Sequence, residues 1–156
     1  HNKFLIVILF MVMDKIFEQS DYWFLESFKL EGNQITVIIN EGIVSSRSED
    51  VGITGSKKVK DCFPIEVNDK SKKVNITFYH VLAHQVIDES YSVPEDGKIE
   101  GKILCLHQKS AYLKYLIDNS LVSQLIDDVI LHYSLNLGDD IIHVITTEQP
   151  EINLIS

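Results

Sequence analysis

Apolar and polar residues alternate over long stretches of this chain, and the alternation predicts paired β-strands. Residues 22–30 and residues 34–40 carry apolar side chains at nearly every second position, the period of a strand with one buried face. Glu31, Gly32 and Asn33 between them favour a tight turn. The two segments therefore predict a β-hairpin. The shared face of its first strand is predicted to comprise Tyr22, Phe24, Phe28 and Leu30.

A second hairpin is predicted around a turn at residues 68–72, with a short strand at 62–67 and a long strand at 73–88. Before it, residues 41–60 hold three glycines, several serines and many charges, which is typical of a long surface loop. One face of the long strand is predicted to carry Val74, Ile76, Phe78, His80, Leu82, His84 and Val86, so that two histidines interrupt an apolar row.

The last third of the chain combines a strand, two helical turns and a third hairpin. Residues 102–107 predict the strand. Ser110 can cap a helix over 111–118, because a serine hydroxyl accepts hydrogen bonds from the first helical turn, and a second short turn is predicted within 121–128. Residues 130–148 then predict a hairpin around the sequence GDD. The predicted fold class is α+β, mainly an antiparallel sheet of hairpins with one or two short helices.

The N-terminal residues 4–13 are ten consecutive apolar side chains, too few to cross a bilayer as a helix. Three interpretations are open: the core of a signal peptide, a buried strand, or a stretch that lies partly outside the native chain, since Met13 begins a plausible reading frame. A strand or packed segment is favoured, with residues 1–12 as either a non-native extension or an extra strand.

The composition fits a single globular domain over residues 1–156, with 45% hydrophobic and 24% charged residues. Cys62 and Cys105 lack the partners of a short-spaced metal site, so buried thiols are favoured and a disulfide is left open. Scarce, unpatterned cysteine favours a cytoplasmic location.

The net charge of −9 is unevenly placed. Residues 115–156 contain no lysine or arginine, whereas six lysines lie within residues 57–73. The resulting negative electrostatic potential attracts cationic surfaces to the C-terminal third and repels nucleic acid. We therefore expect a basic protein partner, no nucleic acid and no membrane, with the chain a monomer or homodimer. The alternative is a solvated acidic face. The predicted partner-binding residues are Asp118, Asp127, Asp128, Asp139 and Asp140.

Catalytic and metal-binding motifs are not recognisable in the sequence. His80 and His84 have the spacing of a helical zinc motif, but on a strand they would lie roughly 13 Å apart and could not share an ion. His107, His132 and His143 each fall on a predicted strand, and no serine or cysteine lies in a nucleophile elbow. The prediction is therefore no catalytic residue, no metal and no cofactor.

The stretches SAYLKYL and LHYSLNLGDDIIHVITTEQPEI resemble a pattern in small bacterial proteins of the toxin-immunity type. The resemblance covers residues 103–153 and implies a cytoplasmic, non-enzymatic protein that neutralises a cognate toxin, with no shared catalytic residues. The alternative is a small enzyme or ligand-binding domain that uses His80 and His84 in a concave sheet face. The matching positions are Tyr112, Tyr115, His132, Tyr133, Ile142, Val144, Pro150 and Glu151.

Overall fold

A computed structural model describes residues 14–53, 55, 57–95 and 97–156, so the strand predicted within residues 4–13 lies outside the described residues. The strands, in chain order, are β1 (Trp23–Glu31), β2 (Gln34–Glu41), β3 (Ile43–Val44), β4 (Glu49–Ile53), β5 (Lys57–Cys62), β6 (Ile65–Glu66), β7 (Lys73–Phe78), β8 (Val81–Asp88), β9 (Ile99–Glu100), β10 (Leu104–His107), β11 (Leu131–Asn136), β12 (Asp140–Thr146) and β13 (Glu151–Leu154). The helices are α1 (Ala111–Asn119) and α2 (Val122–Leu125), with 3-10 turns at Asp14–Gln19 and Glu89–Tyr91.

Two antiparallel sheets pack against each other. The first sheet has the strand order β1-β2-β7-β13, and the second has the order β8-β12-β11-β10-β9. A hydrophobic cluster joins them, and the rings of Phe78 on β7 and Tyr133 on β11 lie 6.0 Å apart within it. Burying apolar area between two sheets removes the inner face of each from water, which is the main source of stability in such a fold. The α+β class with mainly antiparallel sheet is confirmed.

Several predicted elements are confirmed with small changes of boundary. The first hairpin is β1 with β2, and the third is β11 with β12. Ser110 caps α1 as predicted, with its hydroxyl accepting a hydrogen bond from the Leu113 N–H at 3.0 Å. Cys62 and Cys105 are not joined by a disulfide.

The prediction of one long strand over residues 73–88 is wrong. His80 has φ +49°, a left-handed conformation that ends an extended run, and it separates β7 from β8. The two halves then pair in different sheets, since β7 lies between β2 and β13 while β8 pairs with β12. Residues 79–80 therefore form a corner between the sheets, which the side-chain alternation did not reveal because it continues across the corner.

The predictions for residues 41–67 are also corrected. The expected loop contains β3 and a hairpin of β4 with β5, and the short strand β6 pairs with β3 instead of with residues 73–88. Nearly all side chains of the β4–β5 hairpin are exposed. Backbone hydrogen bonds hold these strands without a buried face, so they lack the apolar periodicity that predicts strands.

The buried face of β1 differs from the predicted one because the strand contains a β-bulge between Leu25 and Ser27. An extra residue reverses the side-chain alternation beyond it. Trp23, only 1% exposed, together with Leu25 and Phe28, faces the core. Tyr22, on the near side of the bulge, is therefore exposed. Leu30 shares the face of Phe28 but is exposed at the end of this edge strand.

The ring of Phe24 lies in a slot between two glycines. A Cβ atom at Gly138 would lie 2.4 Å from one ring carbon, and a Cβ atom at Gly42 would lie 2.6 Å from another. Because the ring fills the space beside both glycines, a methyl group added at Gly138 would push it towards Gly42. The slot also brings the β11–β12 turn onto β1, where the Gly138 N–H donates a hydrogen bond to the Trp23 carbonyl at 2.8 Å.

Gly138→Ala is therefore expected to lower the free energy of unfolding by about 1–3 kcal/mol, the usual cost of overpacking. The matched control is Gly52→Ala in β4, where no described atom lies within 4 Å of the added Cβ. We expect the control to change stability by less than about 0.5 kcal/mol in urea unfolding. If both variants were equally stable, the Phe24 ring would not fill the space beside Gly138.

Candidate functional site

Three histidines meet on the face of the second sheet that is turned away from the core. His107 on β10 is directly opposite His132 on β11, and His143 on β12 is opposite Ser134, two residues further along β11. Residues two apart on a strand share a face, so the three imidazoles lie side by side. The alternate residues of the same strands belong to the core. We call His107, His132 and His143 the histidine cluster.

The first turn of α1 covers the histidine cluster. The centroid of the Tyr112 ring lies 5.7 Å from that of His132 and 5.9 Å from that of His143, in edge-to-face arrangements. Ser110, the capping residue of α1, is hydrogen-bonded through its hydroxyl to Nδ1 of His132 at 2.6 Å. As a result His132 is fully buried and His107 is only 6% exposed, whereas His143 is partly buried.

The three rings are close enough to act on a shared ligand. The rings of His107 and His132 stack with centroids 4.1 Å apart, and those of His132 and His143 lie 5.1 Å apart. The pair of His107 and His143 is the widest, at 6.1 Å. One ring nitrogen from each histidine can be chosen so that all three lie within 4.8 Å of one another.

Hydrogen bonds from two serines fix how the rings are turned. Nε2 of His107 is bonded to the Ser134 hydroxyl at 2.7 Å, just as Nδ1 of His132 is bonded to Ser110. Nε2 of His132 lies 2.9 Å from Nδ1 of His143. Nδ1 of His107 is buried and has no hydrogen-bond partner among the described residues. Buried polar atoms without a partner are rare, so this nitrogen calls for an explanation.

Burial favours the neutral form of all three imidazoles. Burial, and then the neighbouring His143, lowers the pKa of His107 to about 4. Burial, and then the other two rings of the cluster, lowers the pKa of His132 to about 3. Burial also lowers the pKa of His143. The carboxylate of Glu95 acts in the opposite direction on His107 and His143.

These pKa values make the stability of the metal-free protein depend on pH. An unfolded histidine takes up a proton near pH 6.5, whereas His107 and His132 in the folded chain stay neutral down to about 4 and about 3. Both groups therefore contribute full stability above pH 6.5, and the contribution is lost as the pH falls below 6.5. We expect each histidine to give a slope of about 1 kcal/mol per pH unit between pH 6 and pH 5.

Urea unfolding of the metal-free chain at several pH values measures this slope. In the variant His107→Gln, the free energy of unfolding is expected to fall less steeply with pH, by about 1 kcal/mol per pH unit, which is the contribution of one histidine. A wild-type chain whose stability stays constant from pH 6.5 to pH 5 would show that the rings are accessible to protons in the folded state.

The two histidines singled out by the sequence lie elsewhere. His80 is in the corner between β7 and β8, and its Nε2 is 3.2 Å from a carboxylate oxygen of Glu148. His84 is on β8, exposed, with its ring 5.5 Å from that of Phe28. Neither belongs to the group of ligand atoms formed by the histidine cluster.

The five aspartates of the predicted partner surface are spread over α1 and the two ends of β11. Asp118 on α1 forms an ion pair with Lys114. Asp127 and Asp128 precede β11, whereas Asp139 and Asp140 follow it, so the length of the strand, roughly 17 Å, lies between the two pairs. Binding of a basic partner through these residues stays a prediction.

The fold and the site define an α+β protein with a buried histidine cluster under the start of a helix. In comparisons with known proteins, no family model, no curated protein and no solved structure matches this chain. Within the described part of the chain, no helix is long and apolar enough to cross a membrane.

Proposed function

We propose that this protein binds a divalent transition-metal ion through the histidine cluster, and that the ion is Zn²⁺. The observation that carries the proposal is the unpartnered Nδ1 of His107, buried beside ring nitrogens of His132 and His143. A metal ion at the centre of the three rings would accept the lone pair of this nitrogen and replace the hydrogen bond between the other two rings. Three imidazoles are an established ligand set for zinc.

The serines support this assignment. Histidines that bind metals usually hold their second ring nitrogen in a hydrogen bond, which fixes the tautomer and the orientation of the ring. Ser134 occupies Nε2 of His107, and Ser110 occupies Nδ1 of His132. The nitrogens left for the ion are therefore Nδ1 of His107 and Nε2 of His132. His143 presents Nδ1 to the same space.

Nucleophilic catalysis fits the same residues less well. Ser110, His132 and His143 are hydrogen-bonded in a row, an order that resembles nucleophile, base and orienting group. The Ser110 hydroxyl is nevertheless buried and already caps α1. A base with a pKa of about 3, as in His132, removes protons poorly at neutral pH. A low pKa does not hinder metal binding, because neutral imidazole is the form that binds metal.

Zinc titration of the purified chain, with a chromophoric chelator as competitor, tests the proposal. We expect one ion per chain, and zinc present at 100 times its dissociation constant should raise the free energy of unfolding by about 2.7 kcal/mol. The matched control is the double variant His80→Gln/His84→Gln, which removes the two histidines outside the cluster and should bind one ion as before. A wild-type chain that binds no ion, or a control that loses it, would contradict the proposal.

A further inference from the structure

We infer that residues 111–130 form a helical cover that lifts from the second sheet when an ion enters or leaves the histidine cluster, and that the bound ion holds this cover down through Ser110. The inference rests on the proposed function. It adds how the site is loaded and regulated, and its tests separate it from metal binding itself.

The ligand atoms of two of the three histidines are closed off from solvent. His132 is fully buried, and Nδ1 of His107, which would bind the ion, is buried as well. On one side of these strands lies the core between the two sheets. On the other side, Ser110 and Tyr112 contact the rings of the cluster. An ion that binds all three rings therefore has to enter past the start of α1.

The cover is held loosely, which makes such a movement accessible. None of residues 111–130 is buried, whereas Ser110 before them and Leu131 after them both are. Three side chains of α1 are partly buried, namely Tyr112, Leu113 and Leu116, and the other six are exposed. Segments with few buried apolar contacts are the ones that open locally at a low cost in free energy. We therefore expect the cover to open more often than the sheet beneath it.

Lifting the cover also unfolds its helix. α1 has only nine residues, and isolated helices shorter than about 12–15 residues are marginal in water. The packing of Tyr112 on the cluster supports the first turn, and it is lost when α1 leaves the sheet. The population of the open cover therefore depends on the helix propensity of α1, even at positions that face solvent.

Ser110 connects the cover to the ion. Its hydroxyl accepts the capping hydrogen bond from the Leu113 N–H and lies 2.6 Å from Nδ1 of His132. In the metal-free chain either ring nitrogen of His132 can carry the proton. An ion on Nε2 takes the lone pair of that atom, so the proton is then on Nδ1, which donates it to Ser110.

Metal binding and docking of the cover are coupled in both directions. Hydrogen-bond partners of metal-binding histidines contribute about 10- to 100-fold to metal affinity. If the docked cover raises zinc affinity by this factor, the ion stabilises the docked cover by the same factor, because binding free energies are reciprocal. The zinc-loaded chain should therefore open its cover about 10- to 100-fold less often than the metal-free chain.

Hydrogen exchange of backbone amides, with and without saturating zinc, tests this coupling. In the metal-free chain the amides of α1 are expected to exchange faster than those of β11 and β12, and zinc should slow them by about 10- to 100-fold. Ser110→Gly removes the hydroxyl while glycine remains an acceptable cap, so this variant should lose most of the slowing. Exchange in α1 that zinc does not slow, or that zinc slows equally in Ser110→Gly, would overturn the coupling.

Zinc release into an excess of a chromophoric chelator tests whether the cover controls exchange of the ion. Tyr115 is 63% exposed on α1, so glycine or alanine at this position changes helix propensity at a site outside the cluster. We expect Tyr115→Gly to release zinc about 5-fold faster than Tyr115→Ala, because glycine is the poorer helix former by about that factor. Uptake should be faster by the same factor, so the equilibrium affinities of the two variants should agree.

The matched control makes the same pair of changes on the first sheet. Leu154 is 54% exposed on β13, and Leu154→Gly and Leu154→Ala should release zinc at equal rates. A difference within this pair would mean that release requires unfolding of the whole chain, which would overturn the inference.

Two results for the Tyr115 pair would also overturn the cover while leaving metal binding intact. The first is equal release rates from folded variants that each bind one ion. The second is faster release from Tyr115→Gly with a matching loss of affinity, which would indicate a distorted site. A wild-type chain that holds no zinc to release would instead contradict the proposed function.

Discussion

Replacing His143 with glutamine is expected to weaken zinc binding by more than about 100-fold, because removing a hydrogen-bond partner outside the ligand set alone costs up to that factor. The loss of a ligand leaves two imidazoles, too few to hold the ion against a competing chelator. His143 is the most suitable of the three for this test since it is partly exposed, and glutamine can still bond to Nε2 of His132. The chain should therefore remain folded.

Competition titration measures the affinity, and circular dichroism of the metal-free variant checks the fold. Two further variants serve as comparisons for the loss of zinc affinity. Ser134→Ala, which removes the partner of His107, should weaken zinc binding by about 10- to 100-fold. His84→Gln should leave it unchanged, because His84 lies against Phe28 and outside the cluster. Wild-type affinity in a folded His143→Gln chain would remove His143 from the ligand set.

Replacing Phe78 with alanine is expected to lower the free energy of unfolding by about 3–5 kcal/mol. Phe78 is fully buried at the end of β7, and its ring contacts that of Tyr133 across the two sheets. Truncation removes the apolar surface that holds the sheets together and leaves a cavity, since strands fixed by their ladders cannot close around it.

Urea unfolding of Phe78→Ala, compared with that of Phe63→Ala, tests whether Phe78 packs between the two sheets. Phe63 is 55% exposed between β5 and β6, and its truncation should cost less than about 0.5 kcal/mol. The same residue type is changed in both variants, so the difference isolates burial. A Phe78→Ala chain about as stable as Phe63→Ala would mean that the two sheets are not packed as described.

Local signals in the sequence were sufficient for the elements that bury one face. The β1–β2 hairpin has turn residues between two alternating runs, and Ser110 stands directly before an apolar helical pattern, so both were predicted and both are confirmed. The corner at His80 was missed because no glycine or proline marks it. Positive φ is uncommon at any residue other than glycine, so a single histidine does not predict it.

The histidine cluster was missed for a different reason. His132 and His143 lie on the predicted third hairpin, but a turn confined to GDD pairs Leu137 with Ile141 and turns them to opposite faces. The observed register, with Asn136 opposite Ile141, places them on one face. His107 joins them only through the pairing of β10 with β11, which are separated by two helices along the chain. Pairing over that distance has no local signature, and a search for closely spaced ligands cannot find it.

X-ray absorption at the zinc K-edge of the zinc-loaded chain tests the central claim most directly. The account predicts scattering from three imidazole rings, with one further light atom from solvent, all at about 2.0–2.1 Å from the ion. A sulfur atom at about 2.3 Å would instead indicate a cysteine ligand. Either a sulfur shell or fewer than three imidazoles around a stoichiometric ion would contradict binding by His107, His132 and His143.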